Sequence, residues 1–163
     1  MTGTPAVEVA PATFADEPVM RRLMELYLHD FSELDGAEVG EHGAFGDPYL
    51  GLYWSEPHRH PFLVRVDGRL AGFALVREGP PHHMAEFFVV RRHRRRGVGL
   101  TVARDVFARF PGPWSVHEIP GNDAAVTFWR RAIPVTYSER ADDDGTTQHF
   151  VQPPTPSPQD AGR

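Results

Sequence analysis

One junction limits how this chain can fold more than any other stretch. The run AEFFVV leads into RRHRRR, five arginines in six positions, and then into Gly97-Val98-Gly99. An almost continuous run of apolar, aromatic and β-branched residues is what a strand in the middle of a sheet needs, because both of its faces are covered. Beyond the glycines, Val98, Val102 and Val106, with Ala103, Phe107 and Phe110, recur at helical spacing. A buried strand therefore feeds an amphipathic helix through one short, strongly basic turn. That order requires an α/β arrangement. It also raises a question of charge, since the whole chain has a formal net charge of −5.

The charge is unevenly distributed. Residues 1–50 carry ten carboxylates against Arg21 and Arg22, a balance of −8, whereas residues 51–163 carry twelve against fifteen arginines, a balance of +3. There is no lysine, so every fixed side-chain cation is a guanidinium. An acidic first third suits cationic partners, and the basic stretch suits anions. A chain of 163 residues can bury one real core and not two. Residues 1–152 are read as one domain and the Pro-rich residues 153–163 as a disordered tail with little to bury. No apolar run approaches the roughly 20 residues that span a bilayer, and MTGTPAVEVA lacks the regions of a signal peptide. Without cysteine, disulfides and thiolate chemistry are excluded. The expectation is a cytoplasmic protein without a membrane partner.

Along the chain, VEVA reads as a first strand, and Thr13 or Asp16 as the cap of a helix with Pro18 in its first turn. Val19, Leu23, Met24, Tyr27, Leu28 and Phe31 predict about 15 helical residues. Residues 36–58 read as a loop or broken helix. PFLVRVDGRLAGFALV predicts two strands around the Asp67-Gly68 turn. EGPPHH is a turn before the central strand, and Pro111-Gly112-Pro113 ends the second long helix. WSVHEI is the next strand, and Asn122 caps a short helix through Ala132. PVTYSE and TTQHFV close the sheet around ADDDG. The hairpin and the strand–helix–strand unit together predict a single mixed, mostly antiparallel sheet flanked by helices, an α+β variety of α/β fold.

A helix start leaves backbone N–H groups unpaired and carries partial positive charge, so glycines there open a place for an anion, a diphosphate above all. The competing reading is an ordinary loop–helix junction with solvated arginines. A nucleic-acid surface is disfavoured, because the rest of the chain is acidic and no second basic run or interleaved aromatics accompany the cluster.

Arg94-x-x-Gly97-x-Gly99 after AEFFVV, with Asn122-x-x-Ala125-x-x-Phe128-Trp129 downstream, resembles the GNAT superfamily of acyl-CoA-dependent N-acetyltransferases. The likeness runs from about Val7 to Val151. It implies a GNAT fold, acetyl-CoA as co-substrate and an amine acceptor, with homodimers frequent among relatives. It also implies that the central strand splays from its neighbour and that the backbone of Phe87, Phe88 and Val89 pairs with pantetheine. Amides from Arg95, Arg96, Gly97, Val98, Gly99 and Leu100 would hold the diphosphate beside Arg94. Arg91, Arg92 and Arg96 are candidates for the ribose phosphate. Asn122 and Ala125 would line the pantetheine side.

Amine acetylation needs a neutral nitrogen, a path for its proton and stabilisation of a developing oxyanion. Glu86 and His83 are the candidate bases. Strand alternation places them on opposite faces unless a bulge intervenes. Glu86 has apolar neighbours that would raise its pKa, or it pairs with an arginine. His83 is a base or one half of an exposed His82-His83 turn. His58 and His60 add no linked carboxylate pattern, so no metal is expected. Trp129 departs from the family, many members of which carry a tyrosine there as proton donor. Indole N–H is no practical acid, so Trp129 is plain core packing or marks a missing general acid, with Tyr27 and Tyr137 as distant substitutes. Tyr27, His29, Asp30, Glu33, Asp35 and Tyr53 are candidate walls of a pocket for a cationic amine, or else a solvated acidic face. The function implied is direct acetyl transfer from acetyl-CoA to an amine in a ternary complex. The alternative is an acyl-CoA-binding sensor or scaffold without turnover.

Overall fold

The computed structural model describes residues 4–156. Residues 157–163 of the expected disordered tail lie outside the described residues, while residues 153–156 are exposed and belong to no helix or strand. Seven strands form one sheet in the order β1-β2-β3-β4-β5-β7-β6. They are β1 (Val7–Pro11), β2 (Arg59–Val66), β3 (Arg69–Arg77), β4 (His82–Val89), β5 (Gly112–Glu118), β6 (Tyr137–Asp142) and β7 (Gly145–Gln152). Every neighbouring pair is antiparallel except β4 and β5. The mixed, mostly antiparallel sheet expected from the sequence is present, with the AEFFVV strand at its centre.

Helix α1 (Glu17–Asp35) follows a short 3₁₀ turn that Thr13 and Asp16 cap together. The Asp16 carboxylate turns back to accept the Thr13 N–H at 2.8 Å and its hydroxyl at 2.9 Å. The helix runs to 19 residues, its last turn being Ser32–Asp35. Nothing in that turn is buried: Leu34 keeps the helical spacing from Phe31 but is exposed. Helix α2 (Val98–Arg109) and helix α3 (Asp123–Ala132) complete the set. Within the predicted loop 36–58, Leu50–Trp54 forms a 3₁₀ turn that buries Leu50 and Tyr53.

Two apolar layers flank the sheet. On one side α2 and α3 cover Val64, Val76, Met84, Val89, Trp114, Val116 and Phe150. Phe107 of α2 is fully buried there, with the rings of Trp114 and Phe150 each 4.9 Å away. Cutting such a side chain to alanine costs about 3–5 kcal/mol. On the other side α1 and the 3₁₀ turn cover Leu63, Phe73, Leu75 and Phe88. Among the described residues no helix is long and apolar enough to cross a membrane.

Alternation along β4 breaks once. Leu75 pairs with Glu86 but Val76 pairs with Met84, so Ala85 is an extra residue. Met84 and Phe87 pack on the α2–α3 side, while Ala85 packs on the α1 side.

Candidate functional site

The parallel pair β4–β5 is joined only at His82↔Trp114 and His83↔Ser115. Past these residues the strands diverge, and the bulge at Ala85 supplies local twist where they separate. The remainder of β4, including Phe87, Phe88 and Val89, has no ladder partner on this side. An unpaired strand edge is a template for any extended, amide-bearing chain. The floor of the wedge is aromatic: the Phe87 ring stacks on Phe128 at 5.5 Å and meets Trp129 edge-on at 5.0 Å. Trp129 also lies 5.9 Å from Phe107 and is almost wholly buried, so it packs the core.

At the open end of the wedge the chain turns into α2. Arg95 (φ 58°) and Gly97 (φ 78°) are both left-handed, and they turn successive N–H groups toward one side. None of the N–H groups of residues 95–100 has an acceptor among the described residues, whereas Thr101 N–H already bonds the Gly97 carbonyl at 3.1 Å. These are six orphan donors at a helix start. Val98 is buried and anchors the turn, and Leu100 packs partly against the same core.

The two glycines serve different needs. A Cβ on Gly97 would meet nothing within 4 Å, so the residue is required by its φ of +78° rather than by space. A Cβ on Gly99 would lie 3.0 Å from the Phe128 ring, so Gly99 lets α2 approach α3. On the other lip, the Asn122 side-chain oxygen Oδ1 accepts the Ala125 N–H at 3.3 Å and caps α3, and Ala125 packs on the core.

The arginines divide into two groups. Arg91 and Arg94 each donate to Asp30 of α1, at 2.7 and 2.6 Å. Arg94 also donates through Nε to the Val89 carbonyl at 2.6 Å, and its own N–H is taken by the Arg91 carbonyl. Its guanidinium and its amide are thus both engaged in bracing the loop against α1 and β4. Arg92, Arg95 and Arg96 are exposed and make no ion pair among the described residues. The acidic partner Asp30 lies 61 positions from Arg91, so no local pattern announces it.

The bulge also revises the placement of the two candidate bases. His83 is the ladder partner of Arg77, which by alternation shares the face of Phe73 and Leu75. With Ala85 taking an extra position, Glu86 falls on that face as well, opposite the Tyr27 hydroxyl. His83 and Glu86 are therefore on the same side of the sheet, not opposite sides. Burial pushes the Glu86 carboxyl up to about 7, opposed by the Tyr27 hydroxyl, raised further by Asp47 and opposed again by Arg77. Glu86 makes no ion pair among the described residues. The Tyr27 hydroxyl is itself driven far above the usual phenol range, by burial first and then by Glu86. Burial likewise pushes Tyr53 up to about 12. His83 is half-buried within β4 and shifted down by burial and then by Arg77, so it is neutral at pH 7.

Tyr27 and Tyr53 thus converge on Glu86, joined by Asp47 and Arg77, which no local sequence signal singles out. Asp35 also acts on the Tyr27 hydroxyl by its charge, and its Oδ1 accepts the Ala37 N–H. Asp30 is held by arginines, and His29 faces the Phe45 ring. Tyr137 lies on β6, at the far edge of the sheet. His58 and His60 pair with Glu56 and Glu78. Among the described residues no cluster of three or more His, Asp or Glu could hold a metal ion.

The acetyltransferase (GNAT) family model matches residues 20–132. An acetyltransferase from Thermus thermophilus superposes with a TM-score of 0.71 at 19% identity, covering 93% of this chain and 99% of the other. Spermidine N-acetyltransferase from Vibrio cholerae, solved with CoA and spermine, gives 0.65 at 13% identity over 90% of this chain and 95% of that one. A PaiA N-acetyltransferase from Thermoplasma acidophilum, solved with coenzyme A, gives 0.63 at 9% identity over 90% and 99%. A curated relative, probable glycine dehydrogenase (decarboxylating) subunit 1 of Chlorobium limicola, is 33% identical over only 70 residues, 43% of this chain and 15% of that protein. The solved relatives share the fold, and the family model spans the junction, the wedge and the Asn122 helix. The chain belongs to the GNAT family of acetyltransferases.

Proposed function

We propose that this chain is an N-acetyltransferase that takes the acetyl group from acetyl-CoA and transfers it to a cationic amine by direct attack in a ternary complex. The observation that carries the reading is the row of six unpartnered N–H groups at residues 95–100, at the mouth of a splayed β4 edge. Those donors fit a diphosphate, and Arg95 and Arg96 add charge beside them. The β4 edge at Phe87, Phe88 and Val89 fits the amides of a pantetheine arm, with Asn122 and Ala125 on the opposite lip. Acetyl-CoA when bound supplies an activated thioester.

The protein's own part is to position the amine and take its proton. A carboxyl with a pKa of about 7 is partly ionised at neutral pH, so Glu86 can accept that proton and release it again. His83, on the same face of the sheet, is the second candidate acceptor. Glu86, Asp47, Tyr27 and Tyr53 make the site anionic and aromatic, which suits a cationic acceptor. The Vibrio cholerae relative solved with spermine supports the same acceptor class. No metal is assigned a role, and the expected cytoplasmic setting is kept as part of this reading.

One observation favours a second reading, an acyl-CoA sensor without turnover: Trp129 is packed among Phe87, Phe107 and Phe128, where many relatives offer a phenol. Calorimetric titration with acetyl-CoA, followed by thiol release on addition of an amine panel, decides between them. Micromolar binding with thiol release supports the enzyme. Binding with no release from any amine supports the sensor, and no binding overturns both.

A further inference from the structure

We infer that Glu25 is a positioning residue: it clips the loop after α1 back onto the helix and so fixes Asp47 beside the Glu86 pocket. The amine's part in this rests on the acetyltransferase reading; the clip itself does not. Residues 36–49 join α1 to the 3₁₀ turn at Leu50–Trp54. Residues 36–44 are exposed throughout, and Gly36, Gly43 and Gly46 all have left-handed backbone, at φ of 72°, 75° and 73°. Such a segment has little burial to hold it, so its position depends on a few specific contacts.

The Glu25 carboxylate supplies them. Its Oε2 accepts the Phe45 N–H at 2.7 Å, and its Oε1 accepts the Gly46 N–H at 2.8 Å. Helical spacing offers Glu25 two nearer cations, Arg21 and Arg22, yet it pairs with neither among the described residues. Arg21 pairs with Glu17 instead, at 2.6 Å. One turn further along α1, His29 meets the Phe45 ring edge-on at 6.4 Å. Toward the start of the helix, Ala44 shares a crevice with Pro18, Arg21, Arg22 and Glu25. The loop therefore lies along one stripe of α1. Among the described residues no other hydrogen bond runs from residues 38–46 to any helix or strand. Two more, from the Gly40 N–H to Ala44 and from the Gly43 N–H to Gly40, stay within the loop.

Asp47 comes directly after the clip. Its Oδ1 accepts the N–H groups of Tyr49 and Leu50, at 2.7 and 3.1 Å, and so opens the turn that buries Leu50 and Tyr53. The carboxylate is therefore held from both sides, by its own turn and by Glu25. Its charge reaches the Glu86 carboxyl and the Tyr27 hydroxyl. The other groups on that face come from elsewhere: Tyr27 from α1, Tyr53 from the 3₁₀ turn, Arg77 from β3 and His83 from β4. Of this set only Asp47 belongs to the loop, and only Asp47 depends on Glu25.

The test follows the full chain by NMR, through amide exchange and the titration of the Glu86 carboxyl carbon. In Glu25→Ala, exchange at Phe45 and Gly46 should quicken by about tenfold or more. Asp47 raises the Glu86 pKa, so its withdrawal should move the Glu86 midpoint down from about 7. Glu25→Gln, which keeps one acceptor oxygen, should show both changes to a smaller extent. Asp47→Asn keeps the oxygen that opens the turn and removes the charge. It should lower the Glu86 midpoint without quickening exchange at Phe45 and Gly46. Its shift should not add to that of Glu25→Ala. Glu17→Ala breaks an ion pair on the same helix away from the loop, so it should change neither readout. Thermal melts establish that each variant is folded.

Unchanged exchange in Glu25→Ala, an unmoved Glu86 midpoint, or a shift that adds to that of Asp47→Asn overturns the clip. Neither readout needs turnover. With spermine as the amine, Glu25→Ala should raise KM about tenfold and lower kcat far less, because an attraction for the cation is lost and the proton acceptor is kept. An unchanged KM removes the amine's part and leaves the clip. If the NMR changes appear and no amine is acetylated, the clip stands and the acetyltransferase reading falls. Turnover with neither NMR change sinks the clip and spares that reading.

Discussion

Two glutamates on neighbouring central strands are pushed up to about 7 by burial, yet their surroundings differ in kind. Glu86, on β4, has a tyrosine hydroxyl opposite it and Asp47 and Arg77 nearby, all facing α1. Glu118, at the end of β5, is 3% exposed, and neither of its carboxyl oxygens has a partner among the described residues. It shares the face of Val116, and hence of Gln148, whose Oε1 is also unpartnered. The nearest charges are Glu139, which raises its pKa further, and Arg130, which lowers it but is already bound to Glu139. The same elevated pKa thus arises in two ways. One group is desolvated beside a tyrosine hydroxyl, and the other is desolvated with no hydrogen-bond partner among the described residues.

The largest expected effect that would test this contrast is on turnover. Glu86→Gln should lower acetyl transfer by about 10²-fold or more. Wild-type rate should rise with pH through about 7 and then level off, because the ionised form is the base. The variant should lack that rise. A wild-type profile in thiol-release assays would remove the functional half of the comparison.

Glu118→Gln should act on stability instead. A carboxyl whose pKa is raised from 4.5 to about 7 on folding contributes stability that is fully present below 4.5 and lost as pH rises through about 7. The variant, neutral at every pH, should therefore match wild type near pH 4.5 and exceed it by about 3 kcal/mol at pH 8. Denaturant melts at the two pH values measure this. A turnover loss as large as that of Glu86→Gln would erase the distinction.

Smaller effects grade the Glu86 pocket itself. Tyr27→Phe removes the hydroxyl that favours the ionised carboxylate, so the midpoint of the pH–rate curve should move up by about half a unit or more. Arg77→Gln should move it in the same direction but by less, since Arg77 is the weakest of the named influences on Glu86. Reversal of that order would show that long-range charge, not the local hydroxyl, tunes the group.

Much of this architecture is legible from local signals. The Asp67-Gly68 hairpin, the Asn122 cap and the strand-to-helix junction at residues 85–107 each depend on residues a few positions apart, and each stands where the sequence placed it. Alternation along β4 misplaced Glu86 relative to His83 because one extra residue, Ala85, reverses the face of everything after it. Gly99 reads as an opening for an anion, yet its spatial constraint is the Phe128 ring on another helix.

What the chain's order of residues determined by itself was the set of elements, the central place of AEFFVV, and a glycine-started helix with donors to spare. These follow from periodicity, burial and turn chemistry, all short-range. Only the tertiary structure decided which arginines stay free, because Asp30 claims Arg91 and Arg94. It also decided that one buried glutamate has a tyrosine opposite it and the other has no partner among the described residues. Pairings of this kind join residues tens of positions apart, through distance and desolvation that no local pattern encodes.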